Sequence, residues 1–431
     1  MDDLYSLNPK ALWRQFRQEH FAFWMTCFYF VLEYLRPQLI YPQLDFLPWD
    51  KIAIGLAVLT FPLDPNRGRV RNPANVWMTA FLLVLIVASA FATFPSISWS
   101  HWFDFLGWYL IYFLIINTVT TPERLFIVLV IFLLANFKLA FFGARTWISR
   151  GFGFVNWGIE GPPGYFQNSS DLSCEMLMFA PIAFELAMFV KTRVKRITYW
   201  FLMAGSISGA MTVLGASSRG AQVALLAQVG WIAVQRKLKL KIVLGILLAG
   251  VVGYALLPAA EKARFASAGT DNTSVQRLDY WRAGLRMIER HPFLGVGYFN
   301  FAPVYEMRDP TKLWHGKAQL PHNIFIQVGT DAGLIGLGIF LILIYRNFKE
   351  AGDIRRACAK NKGAPDYASS VARGLVVATW GFVLSGQFNT ITYYPLFWIN
   401  LALTVALGNV VARSGQTSSQ VPSPAATPVP Q

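Results

Sequence analysis

The sequence predicts an all-α, polytopic transmembrane helical bundle of about 12 spans with one large, partly helical extramembrane loop. Three observations carry this. Hydrophobic residues fill 55% of the 431 positions and charged residues only 14%, against about 25% charged in an ordinary soluble domain. A surface that apolar is solvated by lipid and not by water. Apolar runs of near membrane-crossing length follow one another from residue 21 to residue 412, and Lys and Arg crowd into alternate loops.

The first twenty residues are polar, contain Lys10, Arg14 and Arg17, and read as a cytoplasmic segment 1–20 before an uncleaved signal anchor. The expected spans are 21–36, 51–63, 76–94, 100–117, 125–142, 172–190, 197–214, 219–235, 240–257, 323–345, 368–387 and 394–412. The second is short and flanked by prolines, so it is expected to tilt, kink or re-enter. One set of loops holds Arg67, Arg69 and Arg71, then Lys191, Arg193, Lys195 and Arg196, then Arg236, Lys237, Lys239 and Lys241, and last Arg346 to Lys362. The positive-inside bias assigns these to the cytoplasm, with both termini inside. The outer face then owns 37–50, 95–99, 143–171, 215–218, 258–322 and 388–393. The domain 21–413 includes the loop 258–322, and the Pro/Ser/Thr-rich tail 414–431 is expected to be a disordered cytoplasmic segment.

The formal net charge of +15 belongs mostly to the cytoplasmic loops and therefore reports topology, not nucleic-acid binding. Cys27, Cys174 and Cys358 lie far apart, with no redox or metal spacing and no expected disulfide. No HExxH, no CxxC pair and no dense acidic cluster falls on the outer face, so neither a metal nor another cofactor is expected. No Walker-type loop is present, which argues against direct use of ATP.

The residues suited to chemistry sit at outer boundaries. In GASSRGAQ, Arg219 opens a span; Ser217 and Ser218 are expected caps, and Gly215 and Gly220 allow close approach. An arginine at such a boundary is a snorkelling side chain or the seat of an anion. In TSVQRLDYWRAGLRMIERHPFLGVGYFNF, Ser274 is expected to cap a helix to about Glu289, with Leu278, Trp281, Leu285 and Ile288 as its apolar stripe. Arg277 borders that stripe, and Trp281 is a candidate substrate contact. Arg282, Arg286 and Arg290 form a solvated row, His291 reads as a terminus residue before Pro292, and Gly295 and Gly297 permit a tight turn. Arg264 is a loop charge with some claim to the site.

In LPHNIFIQVGTDAGLIGLG, His322 stands where an outer loop turns into a span. The positive end of the helix dipole there should keep its imidazole neutral, as a general base requires. Asn323 beside it is a candidate to orient substrate or fix the ring tautomer, while Asp331 falls on another helical face. Loop 143–171 adds Arg145, Arg150, Tyr165, Gln167 and Asn168; its run GPPGYFQNSSD is turn-rich and suited to a polar cleft.

The order SSRGA, a helix with RxxxW running into HPFLGVGYFNF, then PHN and GLIGLG before a span, resembles the O-antigen ligase and polymerase superfamily of bacterial membrane proteins over about 210–345. The resemblance implies a GT-C-like, metal-independent, inverting glycosyltransferase in the cell inner membrane with its active site facing the periplasm. Its donor would be a glycan on undecaprenyl diphosphate; its acceptor a glycan, lipid or protein, with lipid A core as the family default. Arg219, Arg277 and His322 match the essential arginines and histidine, and Arg264 matches more weakly. Asp331 departs from the glutamate common at that place. A polysaccharide polymerase or a protein O-oligosaccharyltransferase of the same superfamily is the first alternative, which the sequence hardly separates from the ligase. A polyprenyl-linked glycan flippase is the reading of another class, disfavoured because the suggestive charges gather at one face and not at the midplane.

Overall fold

The computed structural model describes residues 2–419 except 69–70, 154–157, 238, 257–258, 260–261, 263–265, 268, 314–315 and 362. Among the described residues the chain is helical, without strands. A helix stands at every expected span. In chain order these are α1 Phe21–Leu35, α2 Trp49–Thr60, α3 Pro73–Ala90, α4 Trp102–Thr118, α5 Pro122–Ser149, α6 Ser169–Val190, α7 Arg196–Gly215, α8 Arg219–Gln235 and α9 Leu240–Leu256. After α10 Asn272–Arg290 and α11 Phe301–Arg308, both in the long loop, come α12 Ile324–Lys360, α13 Ala368–Ser385 and α14 Pro395–Ser419.

Among the described residues, eight segments, those containing α2, α3, α5, α6, α7, α12, α13 and α14, are long and apolar enough to cross a membrane. The helices α1, α4, α8 and α9 run only 15 to 17 residues and fall short of that length. The structure therefore supplies eight membrane-crossing candidates where the sequence suggested twelve. The chain is a multi-pass membrane protein.

Local chemistry sets the starts. Asn72 and Thr121 accept backbone N–H bonds ahead of Pro73 and Pro122, which lack the donor a first helical position cannot use. The central pillar is α6, buried along almost its whole length between α7 and α13, and α14 is nearly as enclosed. On the outside, Leu59, Ile197, Leu226 and Val234 are each more than two-thirds exposed. Such apolar surface is stable against acyl chains and costly against water.

Alternating helix directions place every second loop at one end. The end with the basic loops is knitted by enclosed ion pairs: Arg124 reaches Asp64 at 2.6 and 3.1 Å and Glu19 at 2.5 Å, and Arg236 and Arg373 share Glu185. Each partner satisfies the charge the other would leave stranded. At the other end gather the starts of α4, α8 and α12, the end of α1, and the long loop.

The span α12 is broken at Gly333, whose φ is +65° and ψ −167°. The HPFLGVG loop repairs the break: Val296 N–H donates to Thr330 O at 2.7 Å, and Leu334 N–H donates to Pro292 O at 2.7 Å. A Cβ on Gly333 would stand 2.2 Å from the Phe293 carbonyl, and one on Gly295 would stand 2.1 Å from Thr330 O. Glycine is thus required on both sides of the joint. At the C-terminus, α14 stays helical to Ser419, past the tail boundary expected at 414, and residues 420–431 lie outside the described residues.

Candidate functional site

The helix α10 organises the site, and its face differs from the expected one. Tyr280, Ala283, Gly284 and Met287 are buried, whereas Leu278 and Leu285 are exposed. Small residues decide this: a Cβ on Gly284 would lie 2.4 Å from Ile326, so α10 approaches α12 along its Ala/Gly edge. The cap also differs. Asp271, not Ser274, caps α10, accepting from the Ser274 N–H at 3.1 Å. His291 closes the helix, as expected of a terminus residue.

Asp271 has a second partner. Arg219, the first residue of α8, places Nη2 2.8 Å from Asp271 Oδ2 and donates to Ser274 Oγ at 3.3 Å. Burial opposes charge on Asp271, but hydrogen bonds from Thr273, Arg219 and Ser274 outweigh it and hold the carboxyl well below its ordinary value. The side chain of Ser218 makes no capping bond to α8. Gly220 lets that end dock: a Cβ there would stand 2.7 Å from the Phe388 ring. Ser217 is left-handed at φ +64°.

Arg277 follows one turn after Ser274 and precedes Trp281 by one turn, on one face of α10. Trp281 Nε1 donates to Pro321 O at 3.0 Å and its ring sits 6.3 Å from that of Phe388. Trp281 therefore positions the histidine loop. Arg277 lies between these two contacts, half-buried, with no hydrogen bond or ion pair among the described residues. Burial, then the neighbouring Arg219 charge, lowers its proton affinity, with Asp271 opposing.

His322 is strained at φ +50°, a conformation uncommon outside glycine. Its N–H donates to Thr390 Oγ1 at 3.0 Å, Nε2 lies 3.0 Å from Gln319 Oε1, and Nδ1 lies 3.5 Å from Thr390 Oγ1. With the amide oxygen assigned to that contact, Nε2 carries the ring proton and Nδ1 keeps a lone pair on the Thr390 side. Burial, and after it the Arg277 charge, lowers the imidazole pKa to about 4. These two causes, more than the helix dipole invoked from sequence, keep the ring neutral at neutral pH.

The structure thus brings Arg219, Arg277, His322 and Trp281 together. Asn323 is used differently: its Oδ1 caps α12 by accepting from Phe325 and Ile326 N–H, and its amide reaches Gln387. Arg145 is exposed near the end of α5 and bonds none of the other candidates among the described residues. Arg264 lies outside the described residues. Asp271, Gln319 and Thr390 were missed from sequence; only Asp271 carried a local signal, an acid just ahead of a helix in DNTS. Among the described residues, no group of three or more His, Cys, Asp or Glu is placed to hold a metal ion.

Two guanidiniums, Arg219 and Arg277, gather near the start of α8 with the Asp271 carboxylate beside Arg219, an arrangement complementary to a phosphate group. Residues 178–341 match the family model described as O-Antigen ligase. That segment is similar to the O-antigen ligase family. Arg219, Asp271, Arg277 and His322 all fall inside it. Curated relatives named "Putative polysaccharide ligase" are similar to this chain over shorter stretches. One from Rickettsia bellii is 30% identical over 91 residues, 20% of this chain and 22% of its own length. One from Rickettsia conorii is 31% identical over 104 residues, 23% of this chain and 25% of its own length. The chain thus spans a quarter or less of the length of these two relatives.

Proposed function

We propose that the protein transfers a glycan from undecaprenyl diphosphate to an acceptor hydroxyl at the periplasmic face of the bacterial inner membrane, with lipid A core as the default acceptor. The observation that carries this reading is the convergence of Arg219, Arg277 and a neutral, strained His322 on one outer loop system inside the matched ligase segment. One transmembrane unit, 21–413, would hold the whole catalytic apparatus.

The chemistry follows from charge. As the bond between sugar C1 and phosphate oxygen breaks, negative charge collects on the departing diphosphate. Fixed guanidiniums in a poorly hydrated site stabilise that charge without reorganising. The acceptor oxygen attacks C1 from the opposite side, its proton passes to Nδ1 of His322, and the configuration inverts. General-base assistance of this kind contributes about 10²–10⁴-fold. Asp271 occupies Arg219 until the diphosphate arrives, and Gln319 and Thr390 hold the imidazole in orientation.

The test is reconstitution of the full chain in lipid nanodiscs with a labelled undecaprenyl diphosphate-linked oligosaccharide and lipid A core. Transfer that falls at least 100-fold in His322→Ala, while binding of undecaprenyl diphosphate persists, supports the base role. Undiminished transfer in that folded variant refutes it, and unchanged undecaprenyl diphosphate affinity in Arg219→Ala refutes the diphosphate site. Elongation of the donor glycan instead of a single transfer would assign the polymerase reaction.

A further inference from the structure

Beyond Thr390 the outer end of the bundle holds a cavity of about 410 Å³, within the usual range of small-molecule sites of about 300–1,000 Å³. Its walls come largely from parts of the chain outside the matched segment. Thr390 both lines this cavity and holds His322, and Leu320, two residues before the histidine, lines it too. Thr390 therefore stands between this cavity and Nδ1 of the imidazole.

Its chemistry differs from that of the arginine pair. The one arginine in the wall, Arg36, is neutralised by Glu33 at 3.1 Å, and its guanidinium lies 4.8 Å over the Tyr165 ring. The turn-rich GPPGYF run wraps this cation so closely that a Cβ on Gly164 would overlap its Nη1. The wall has aromatic faces: Tyr165 packs against Tyr394 at 5.0 Å, and Phe299 stacks on His101 at 4.0 Å. It also has hydrogen-bonding groups. His101 and Asp104, 3.0 Å apart, are about two-fifths exposed. Gln327 is 2% exposed, and its Oε1 has no hydrogen-bond partner although it is enclosed. A buried amide oxygen without a donor costs free energy until a ligand supplies one.

No surplus positive charge is available here for a phosphate. Flat rings and uncharged or balanced polar groups suit a neutral, polyhydroxylated ring, whose C–H face packs on an aromatic side chain while its hydroxyls bond to amide and carboxylate oxygens. Resting on the transfer reading above, we infer that this cavity is a sugar-binding subsite that holds the acceptor glycan beside the Thr390–His322 pair. Acceptor choice then resides mainly in the flanking helices and loops, and donor activation in the matched segment.

Gln327→Leu removes the unpaired oxygen at similar volume, and Asp104→Asn removes a charge from a partly exposed side chain. Each full-length variant in nanodiscs, checked for wild-type thermal unfolding, is assayed with the labelled undecaprenyl diphosphate-linked oligosaccharide against varied lipid A core. The KM for the core should rise roughly tenfold, as expected for one lost polar contact, with donor KM and undecaprenyl diphosphate affinity unchanged. An unchanged core KM in both variants overturns the inference. A rise in donor KM alone also overturns it and assigns the cavity to the donor's own glycan. If the wild type binds undecaprenyl diphosphate but does not use lipid A core, the same arms are run with the lipid-linked repeat unit as acceptor, read in the same way. Equilibrium binding of lipid A core glycolipid to wild type and Gln327→Leu separates the two levels. Weaker binding in the variant supports the subsite even if transfer fails, and equal binding overturns it while the transfer reading stands.

Discussion

Replacing Arg277 by glutamine isolates the diphosphate contribution, because this arginine forms no hydrogen bond or ion pair among the described residues that the change would break. Arg219→Ala, by contrast, also severs Asp271 and Ser274. A hydrogen bond from a charged donor contributes about 1.5–3 kcal/mol, so the Kd for undecaprenyl diphosphate should rise about 10- to 150-fold. The same substitution removes one of the two causes that hold His322 at about 4. With the Arg277 charge gone, imidazolium is less disfavoured, so the pKa moves up toward its ordinary value. The neutral base is then lost at a higher pH as the solution is acidified, and the acid limb of kcat/KM shifts upward. Stability should change by no more than about 0.5 kcal/mol. Fluorescent undecaprenyl diphosphate binding in nanodiscs measures the first effect, and a pH series of transfer rates measures the second. A Kd within twofold of wild type, together with an unmoved acid limb, would refute the reasoning.

Asp271→Asn keeps a residue that caps well but removes the carboxylate that competes for Arg219; undecaprenyl diphosphate should bind up to about fivefold more tightly, and weaker binding at low salt would count against the place-holding role. Gly333→Ala puts a side chain on a positive-φ residue against the Phe293 carbonyl, and should lower stability by about 1–3 kcal/mol or more, seen as a lower unfolding temperature in detergent. Trp281→Phe keeps the ring but deletes the bond to Pro321 O, costing about 1 kcal/mol; transfer should slow while undecaprenyl diphosphate binding holds, and an unchanged kcat would exclude a positioning role for the indole.

The helical ladder was legible because apolar runs and basic loops are local signals, and helices stand at all twelve places. Their competence to span was not, because length also depends on where caps such as Asn72 and Thr121 fall. Arg219, Arg277 and His322 could be singled out as polar groups at apolar boundaries. Their partners could not: Asp271 is 52 residues from Arg219 and Thr390 is 68 from His322, and no periodicity links such separations. The face of α10 was misassigned because large apolar residues were counted, whereas Ala283 and Gly284 determine how near α12 can come. Asn323 looked like a substrate ligand, yet the same chemistry made it a helix cap. The cavity was invisible for the same reason as Thr390, since Arg36, His101, Tyr165 and Gln327 meet only in the folded bundle.

The joint between HPFLGVG and the break in α12 has a consequence for length variation. Both ends of residues 292–296 are pinned to the backbone of α12, at Leu334 and at Thr330. Adding or deleting one residue between those pins would slip one hydrogen bond out of register and swing Gly295 away from the carbonyl it fits. This stretch behaves as a ruler of invariant span, not as an adaptable loop. The histidine turn joins the same part of α12 that precedes the break, so its position relative to the rest of that helix is set by that ruler. Tolerance for insertions in this part of the chain belongs to stretches outside these two pins.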